Sequence, residues 1–126
     1  MKHPLVIQNE RTAVLFIDLQ EEHRKDERYL VEGFDAVLEN ARKLQKEARH
    51  NNIRLLHCAY VVDAEGGALR PFHPMTSEGL SAFSDKSHPD WTAICREVEP
   101  APGEILLIKT DASAFADGRL EPVLRS

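Results

Sequence analysis

The sequence has few cysteines, no long apolar run and no cluster of basic residues. Two cysteines in 126 residues cannot form the disulfide framework of a small secreted domain. No run approaches the roughly 20 apolar residues that span a bilayer, and the first residues lack the apolar core of a signal peptide. The net charge is −5, and basic residues do not cluster beyond pairs such as Arg24-Lys25, which argues against a phosphate-backbone footprint. We therefore expect a cytoplasmic protein with no nucleic-acid or membrane partner.

The sequence also lacks a pattern for a metal or another cofactor. Its histidines are scattered without ligand spacing, at His23, His50, His73 and His88. The segment DLQEEHRK at 18–25 contains no glycine, so it cannot form the glycine-rich loop that cradles phosphates. We expect no metal and no cofactor.

Composition and length indicate one soluble globular domain over residues 1–126. Apolar residues make up 42% of the chain and charged residues 29%, as in ordinary globular domains. A chain of this length buries about two thirds of its unfolded surface, so it can fold without a disulfide or a structural metal.

Three short apolar runs predict parallel strands that are buried on both faces. They are AVLFI at 13–17, IRLLHCAYVV at 53–62 at its widest, and ILLI at 105–108, which ends on Lys109. The first run reads as a central strand. Residues 63–89 have no sustained periodicity and predict a long loop.

Apolar residues at helical spacing predict three helices. The first covers 33–49 and is closed by Asn51-Asn52, since Asn tolerates the left-handed conformation that ends helices. A second, short helix carries Trp91, Ile94, Cys95 and Val98. The last has about ten residues counted from its N-cap, Asp117, and carries Leu120, Val123 and Leu124.

The alternation of strands and helices is typical of an α/β fold with a parallel sheet. We expect a three-layer, Rossmann-like arrangement. The last predicted helix has no Gly or Asn cap and leads to no further strand, so the domain looks truncated at its C-terminus. One face of the sheet then needs missing sequence or a partner chain to cover it.

Two ionisable residues follow strands at the carboxyl edge of the predicted sheet, where open parallel sheets bind ligands. Asp18 follows the first strand and Lys109 the third. A carboxylate and an ammonium that face one crevice suit proton transfer to or from a thiol or a water. The alternative interpretation is a structural ion pair or two solvated strand ends.

Neither cysteine suits the role of a nucleophile. Cys58 follows His57, but successive strand residues point to opposite faces of the sheet, so the histidine cannot activate the thiol. Cys95 shares the predicted helix face with Trp91 and Val98, which indicates a small buried hydrophobic residue. We expect both to be core residues.

Two sequence blocks resemble the isochorismatase-like cysteine hydrolases. The block TAVLFIDLQ at 12–20 is similar to the opening of that family, whose first strand ends in Asp-x-Gln. The block EPAPGEILLIKTDASAF at 99–115 is similar to its third strand, with the catalytic lysine and a Ser-Ala-Phe. The resemblance covers essentially the whole chain and is weakest at 63–89. It implies an isochorismatase-like sheet, here the first three βα units only, and a hydrolase of a small amide, carbamoyl or vinyl-ether substrate.

The resemblance also assigns roles to individual residues. Asp18 corresponds to the general base and Lys109 to the conserved lysine of a Cys-Asp-Lys triad. Gln20 matches the glutamine of the family's Asp-x-Gln and is expected either to bind substrate or to orient the loop. Phe115 is expected to contact substrate, since aromatic residues often line such pockets, with core packing as its alternative role. In this family the nucleophilic cysteine follows a fourth strand, which these residues do not include. The resemblance therefore implies that the chain alone is inactive and that a homo-oligomer or a complementing C-terminal fragment completes the fold.

Two other functions stay open. A noncatalytic family member would use its exposed sheet edge and face for assembly or binding. A phosphoacceptor receiver domain has similar length, an acid near its first strand and a distal lysine. Receivers place paired acids after that strand, however, whereas Leu19-Gln20 follow Asp18 here.

Overall fold

The computed structural model describes residues 4–27, 29–61, 92–109, 113–116 and 118–126. Its strands are β1 (Ala13–Ile17), β2 (Arg54–Tyr60) and β3 (Ile105–Lys109), and its helices are α1 (Glu22–Lys25), α2 (Phe34–His50) and α3 (Leu120–Arg125). Short 3₁₀ helices occupy Asn9–Arg11 and Arg96–Val98. The predicted loop at 63–89 lies outside the described residues.

The three strands form one parallel sheet in the order β1-β2-β3. Every residue of β2 after Arg54 is buried, because this strand has a neighbour on each side. The α/β class with a parallel sheet, predicted from the sequence, is confirmed. Within the described residues β1 pairs with β2 alone, and Ala13 and Ile17 at its ends are exposed. The apolar run alone predicts a central strand buried on both faces, which is wrong for the described residues, whereas the family resemblance predicts that the first strand is left at an open edge of the sheet, as observed.

Helix α2 covers one face of β1 and β2. Its buried side chains recur at helical spacing, as an amphipathic helix requires. Ala48 packs with Phe16 and Leu55, while the other end of the helix packs against the segment around the 3₁₀ helix at Arg96–Val98. That second cluster consists of Phe34, Leu38, Cys95 and Val98. Full burial of each large apolar side chain contributes about 1.5–3 kcal/mol relative to exposure.

The ends of α2 confirm the predicted helix to within one residue. Gly33 precedes the helix with φ 74°, a value that glycine adopts without strain. Asn51 donates from Nδ2 to the carbonyl oxygen of Glu47 at 2.8 Å, and Asn52 has φ 56°. The two asparagines thus end the helix as their sequence positions indicate.

The predicted second helix is wrong for residues 92–98. Only Arg96–Val98 is helical there, as a 3₁₀ turn. Ile94 instead forms an isolated antiparallel bridge with Gln20, and the Cys95 amide donates to the carbonyl of Leu19 at 2.8 Å. Because the backbone groups of this segment form hydrogen bonds with residues 19–21, they are not available for the hydrogen bonds of a helix. Trp91 lies outside the described residues.

Helix α3 is shorter than predicted, with six residues from Leu120 to Arg125. Arg119 occupies its N-cap position without a side-chain cap, so Asp117, which lies outside the described residues, does not hold that position. Arg119 donates to the carbonyl of Ile108, which ties the start of α3 to β3. Among the described helices, none combines the length and the hydropathy needed to cross a membrane.

Candidate active site

Asp18 leaves the sheet directly after β1. Its amide donates to the carbonyl of Cys58 at 3.0 Å, which extends the pairing with β2 by one step. Its φ of 61° lies in the left-handed region, which Asp and Asn enter more readily than most other residues. Non-glycine residues in this conformation cluster at functional sites. The turn places the Asp18 carboxylate at the carboxyl edge of the sheet.

Lys109 ends β3 and reaches the same place. Its Nζ donates to Oδ2 of Asp18 at 3.2 Å, although 91 positions separate the two residues. The lysine is 3% exposed, whereas the Asp18 side chain is 35% exposed. The gross attraction at this distance is on the order of 5 kcal/mol at an effective dielectric of 20, and contact of Asp18 with water reduces it. The structure brings the two candidate catalytic residues together.

The second carboxylate oxygen of Asp18 has a different environment. Oδ1 is buried and has no hydrogen-bond partner among the described residues. Buried polar atoms are normally paired, and an ionised carboxylate only accepts hydrogen bonds. Oδ1 is therefore an acceptor without a described partner, while Oδ2 of the same carboxylate binds the Lys109 ammonium.

Tyr60 is a site residue that the sequence analysis missed. It is the last residue of β2, is buried and pairs in register with Lys109. Nζ of Lys109 lies 5.0 Å from the centroid of the Tyr60 ring, within the range of a cation–π interaction. The sequence indicates that β2 and β3 end at the same side of the sheet, but the contact between Tyr60 and Lys109 follows only from the register of the two strands.

Gln20 is fully buried at 0% exposure. Its Nε2 donates to the carbonyls of Tyr60 and Thr92 at 2.9 and 2.8 Å, and its Oε1 accepts from the Tyr60 amide at 2.7 Å. Both amide hydrogens are thus used on the backbone. Of the two roles that the sequence left open, this geometry favours orientation of the loop, and contact of Gln20 with substrate stays a prediction.

Phe115 lies in the turn at 113–116 that follows β3. Its side chain is 56% exposed, and its backbone amide donates to Oγ of Ser113 at 3.1 Å. No hydrogen bond or ring contact among the described residues joins it to Asp18 or Lys109. Its role in substrate binding stays a prediction.

Both cysteines are buried, Cys58 at 1% and Cys95 at 0% exposure. Burial first, and then the charge of Glu21, raise the pKa of the Cys95 thiol to about 11, while Arg24 opposes the shift. The thiolate is the reactive form of cysteine, so Cys95 is unreactive near neutral pH. These observations fit the predicted packing role of both residues.

A second group of charged residues lies at the opposite edge of the sheet. Glu104 precedes β3 and accepts two hydrogen bonds from Arg49 at 2.8 Å each. It also accepts from the Ala101 amide at 2.8 Å and contacts Nε2 of buried His57 at 3.0 Å. The Arg49 guanidinium first, then the Ala101 amide and His57, lower the pKa of Glu104 to about 2 against the penalty of burial. We call these residues the Glu104 cluster.

Among the residues that the structure describes, no metal-ligand group lies at the Asp18–Lys109 pair. No group of three or more His, Cys, Asp or Glu side chains among the described residues is placed to hold a metal ion. A cavity of about 690 Å³ lies at the far edge of the sheet, lined by residues 9–13, Asn52, Arg54 and 123–126. This cavity contains neither Asp18 nor Lys109.

Comparison with known proteins points to one family. A family model described as the isochorismatase domain matches residues 12–126. No curated protein matches the chain.

Solved structures share the fold. A cysteine hydrolase from Pseudomonas syringae pv. phaseolicola has a TM-score of 0.78 at 21% identity, over 99% of this chain and 60% of its own. An isochorismatase family protein from Desulfovibrio vulgaris has a TM-score of 0.78 at 26% identity, over 91% and 60%. An N-carbamoylsarcosine amidase from Thermoplasma acidophilum has a TM-score of 0.70 at 18% identity, over 90% and 60%. The chain thus spans about 60% of the length of each of these structures.

Proposed function

This chain belongs to the isochorismatase domain family, and on that premise we propose that it carries two members of a cysteine-hydrolase site. The observation that carries the proposal is the Asp18–Lys109 contact at 3.2 Å, together with the open acceptor Oδ1 of Asp18. In this proposal Asp18 is the general base and Lys109 stabilises negative charge. The substrate is a small amide, carbamoyl compound or vinyl ether.

For an amide substrate the proposed reaction begins with proton transfer from a cysteine thiol to Oδ1 of Asp18. The thiolate attacks the carbonyl carbon, a carbon–sulfur bond forms, and the carbon–nitrogen bond breaks as Asp18 returns the proton to the leaving amine. Water then cleaves the thioester, with Asp18 again moving the proton. The Lys109 ammonium favours the negative charge that develops in the reaction.

The nucleophile in this proposal comes from outside residues 1–126. Cys58 and Cys95 are buried, and the raised pKa of Cys95 is opposite to what a nucleophilic thiol requires. A complementing C-terminal segment supplies the reactive thiol, because a second copy of residues 1–126 would bring only the same two buried cysteines. Free cysteines also fit a reducing compartment, and we propose a cytoplasmic location.

Phe115 completes the proposed site as a substrate contact. Its exposed ring belongs to the turn at 113–116, a few positions after the strand that carries Lys109. Aromatic side chains commonly line small-molecule sites. Replacing Phe115 by alanine is expected to raise KM more than it lowers kcat, because the ring takes no part in the proton transfers.

The test begins with the composition of the purified protein. Denaturing intact-mass spectrometry establishes whether the 14.3 kDa chain is accompanied by a larger species or a second fragment. Hydrolysis of a panel of small amides, carbamoyl compounds and vinyl ethers is then measured for wild type, Asp18→Asn and Asp35→Asn. Asp35 is an exposed aspartate in the first turn of α2, so it controls for the loss of one carboxylate.

The proposal requires that Asp18→Asn lose activity by about 10²–10⁴-fold, while Asp35→Asn stays near wild type. Unchanged turnover in Asp18→Asn contradicts the role of the general base. Absence of hydrolysis by every preparation, including any with a second fragment, rejects the hydrolase function.

A noncatalytic assembly module is the second candidate. It is favoured by the outer edge of β1, which has no partner strand among the described residues, and by the exposed Leu106 and Ile108 on β3. Unpaired strand edges and apolar patches support association. Light scattering that detects a defined homo-oligomer without hydrolase activity supports this function, and a well-folded monomer contradicts it.

A further inference from the structure

The side chain of Gln20 joins the candidate site to two other segments of the chain. It contacts the backbone of Tyr60 on both sides, accepting from its amide at 2.7 Å and donating to its carbonyl at 2.9 Å. It also donates to the carbonyl of Thr92 at 2.8 Å. One buried amide therefore fixes the end of β2 and the start of the segment at 92–95.

Gln20 is itself held in place by its neighbours. The Glu21 amide donates to Ala93 at 2.9 Å, and the Cys95 amide donates to Leu19 at 2.8 Å. These two backbone bonds lie on either side of the Gln20–Ile94 bridge. The Gln20 side chain thus projects from a fixed backbone, two residues after Asp18.

Tyr60 extends this constraint to the ammonium of Lys109. Its ring centroid lies 5.0 Å from Nζ, and its backbone pairs in register with Lys109. The next residue continues the ladder, since the Val61 amide donates to the Lys109 carbonyl at 3.0 Å. A displacement of the Tyr60 backbone would therefore move the ring that faces the ammonium.

We propose that Gln20 and Tyr60 are positioning residues that hold the Lys109 ammonium against Asp18: Gln20 fixes the Tyr60 backbone, and the Tyr60 ring faces Nζ. The inference deepens the proposed function and rests on it for its catalytic meaning. The positioning itself is a property of the folded chain and can be measured without any substrate.

The experiment measures how fast Lys109 reacts with acetic anhydride in the full chain. Brief acetylation followed by digestion and mass spectrometry gives the rate for each lysine, and exposed Lys46 on α2 serves as the internal reference. The first variant is Gln20→Leu. Its matched control is Gln45→Leu, because Gln45 is also buried and also donates to a backbone carbonyl, that of Val98 at 2.8 Å, without touching the site.

We expect Gln20→Leu to raise the Lys109-to-Lys46 ratio several-fold, since a displaced ammonium loses both burial and its partners. Gln45→Leu is expected to leave the ratio at the wild-type value. A wild-type ratio in folded Gln20→Leu overturns the proposal, and so does an equal rise in both variants, because a general loosening of the fold then explains the result.

Tyr60 provides a second comparison that decides the matter if Gln20→Leu fails to fold. Tyr60→Leu removes the ring and is expected to raise the ratio several-fold, whereas Tyr60→Phe keeps the ring and is expected to restore the low ratio. Equal ratios in these two variants contradict a role for the ring. Because no substrate is used, the positioning inference survives if hydrolysis is never found, and it fails alone if hydrolysis is found but the ratios do not change.

Discussion

A carboxylate beside a basic side chain lies at each end of the parallel strands, but the two carboxylates differ in how many of their oxygens are hydrogen-bonded. At one edge the Glu104 carboxylate receives four contacts, from Arg49 twice, from the Ala101 amide and from His57. At the other edge the Asp18 carboxylate has one oxygen on Lys109 and the other without a described partner. The single strand β3 connects them, since Glu104 precedes it and Lys109 ends it.

In the proposed function this difference separates a carboxylate that stabilises the fold, Glu104, from one that moves protons, Asp18. A carboxylate whose acceptor sites are filled is stabilised as an anion, which is why the pKa of Glu104 falls to about 2, and it has little capacity to take up a proton near neutral pH. A carboxylate with an open oxygen can accept a proton from an incoming group. Contact number, rather than charge or burial alone, distinguishes the two.

The largest expected effect tests the Asp18 edge. Lys109→Met in the active protein should lower kcat/KM by on the order of 10²–10³, because charge stabilisation at the reacting centre is lost. Lys46→Met, on the exposed face of α2, should leave kcat/KM near the wild-type value. Comparable activity in Lys109→Met and Lys46→Met would contradict the catalytic role of Lys109.

The Glu104 edge should respond in stability instead. Glu104→Gln removes the ion pair with Arg49, and we expect the free energy of unfolding to fall by about 1–3 kcal/mol in urea titrations. The upper value corresponds to the lowered pKa of Glu104. The lower value allows for the partial exposure of Arg49 to water. Glu39→Gln is the matched control, since Glu39 pairs with Arg42 on an exposed helix face at 2.7 Å. If the two substitutions cost the same, the Glu104 cluster is no stronger than a surface pair.

The stability of the Glu104 edge should also depend on pH. The pKa of Glu104 is lower in the folded chain, about 2, than its ordinary value of 4.5, so its contribution is present above about pH 4.5 and is lost as the pH falls toward 2. Urea titrations between these limits should show a smaller decline for Glu104→Gln than for wild type. Parallel declines would mean that Glu104 is not the titrating group.

The smallest effect is expected at the thiols. Cys58 and Cys95 are buried, and the pKa of Cys95 is raised to about 11, so iodoacetamide at mildly alkaline pH should label neither in the native chain. Both should react in denaturant, as intact mass will show. Rapid native labelling of Cys95 would mean that its surroundings are more open than the structure indicates, and would reopen its candidacy as a nucleophile.

Elements whose apolar pattern fits only a strand or only a helix were predicted correctly from the sequence. The strand at 13–17 and the helix over 33–49 agree with β1 and α2 to within one residue. The helix predicted around Cys95 failed, because its apolar spacing is satisfied by burial against α2 while its backbone bonds to the loop after β1. Periodicity reports which residues are buried, but not where their backbone groups bond.

The same limit applies to the candidate site. Asp18 and Lys109 were identified because parallel strands end at one edge, a rule that needs no coordinates. Tyr60 was missed because its contact with Lys109 depends on the register between β2 and β3. The hydrogen-bond partners of Gln20 could not be predicted for another reason. Thr92 is 72 positions away along the chain, and no sequence pattern connects the two residues.

The bifurcated amide of Gln20 has a consequence for how this protein can be engineered. Its Nε2 binds the carbonyls of both Tyr60 and Thr92, so one side chain ties the turn after β1 to two positions that are far apart in the sequence. Engineering that changes residues 62–91 should therefore keep Gln20, Tyr60 and Thr92, so that this anchor beside Asp18 is retained.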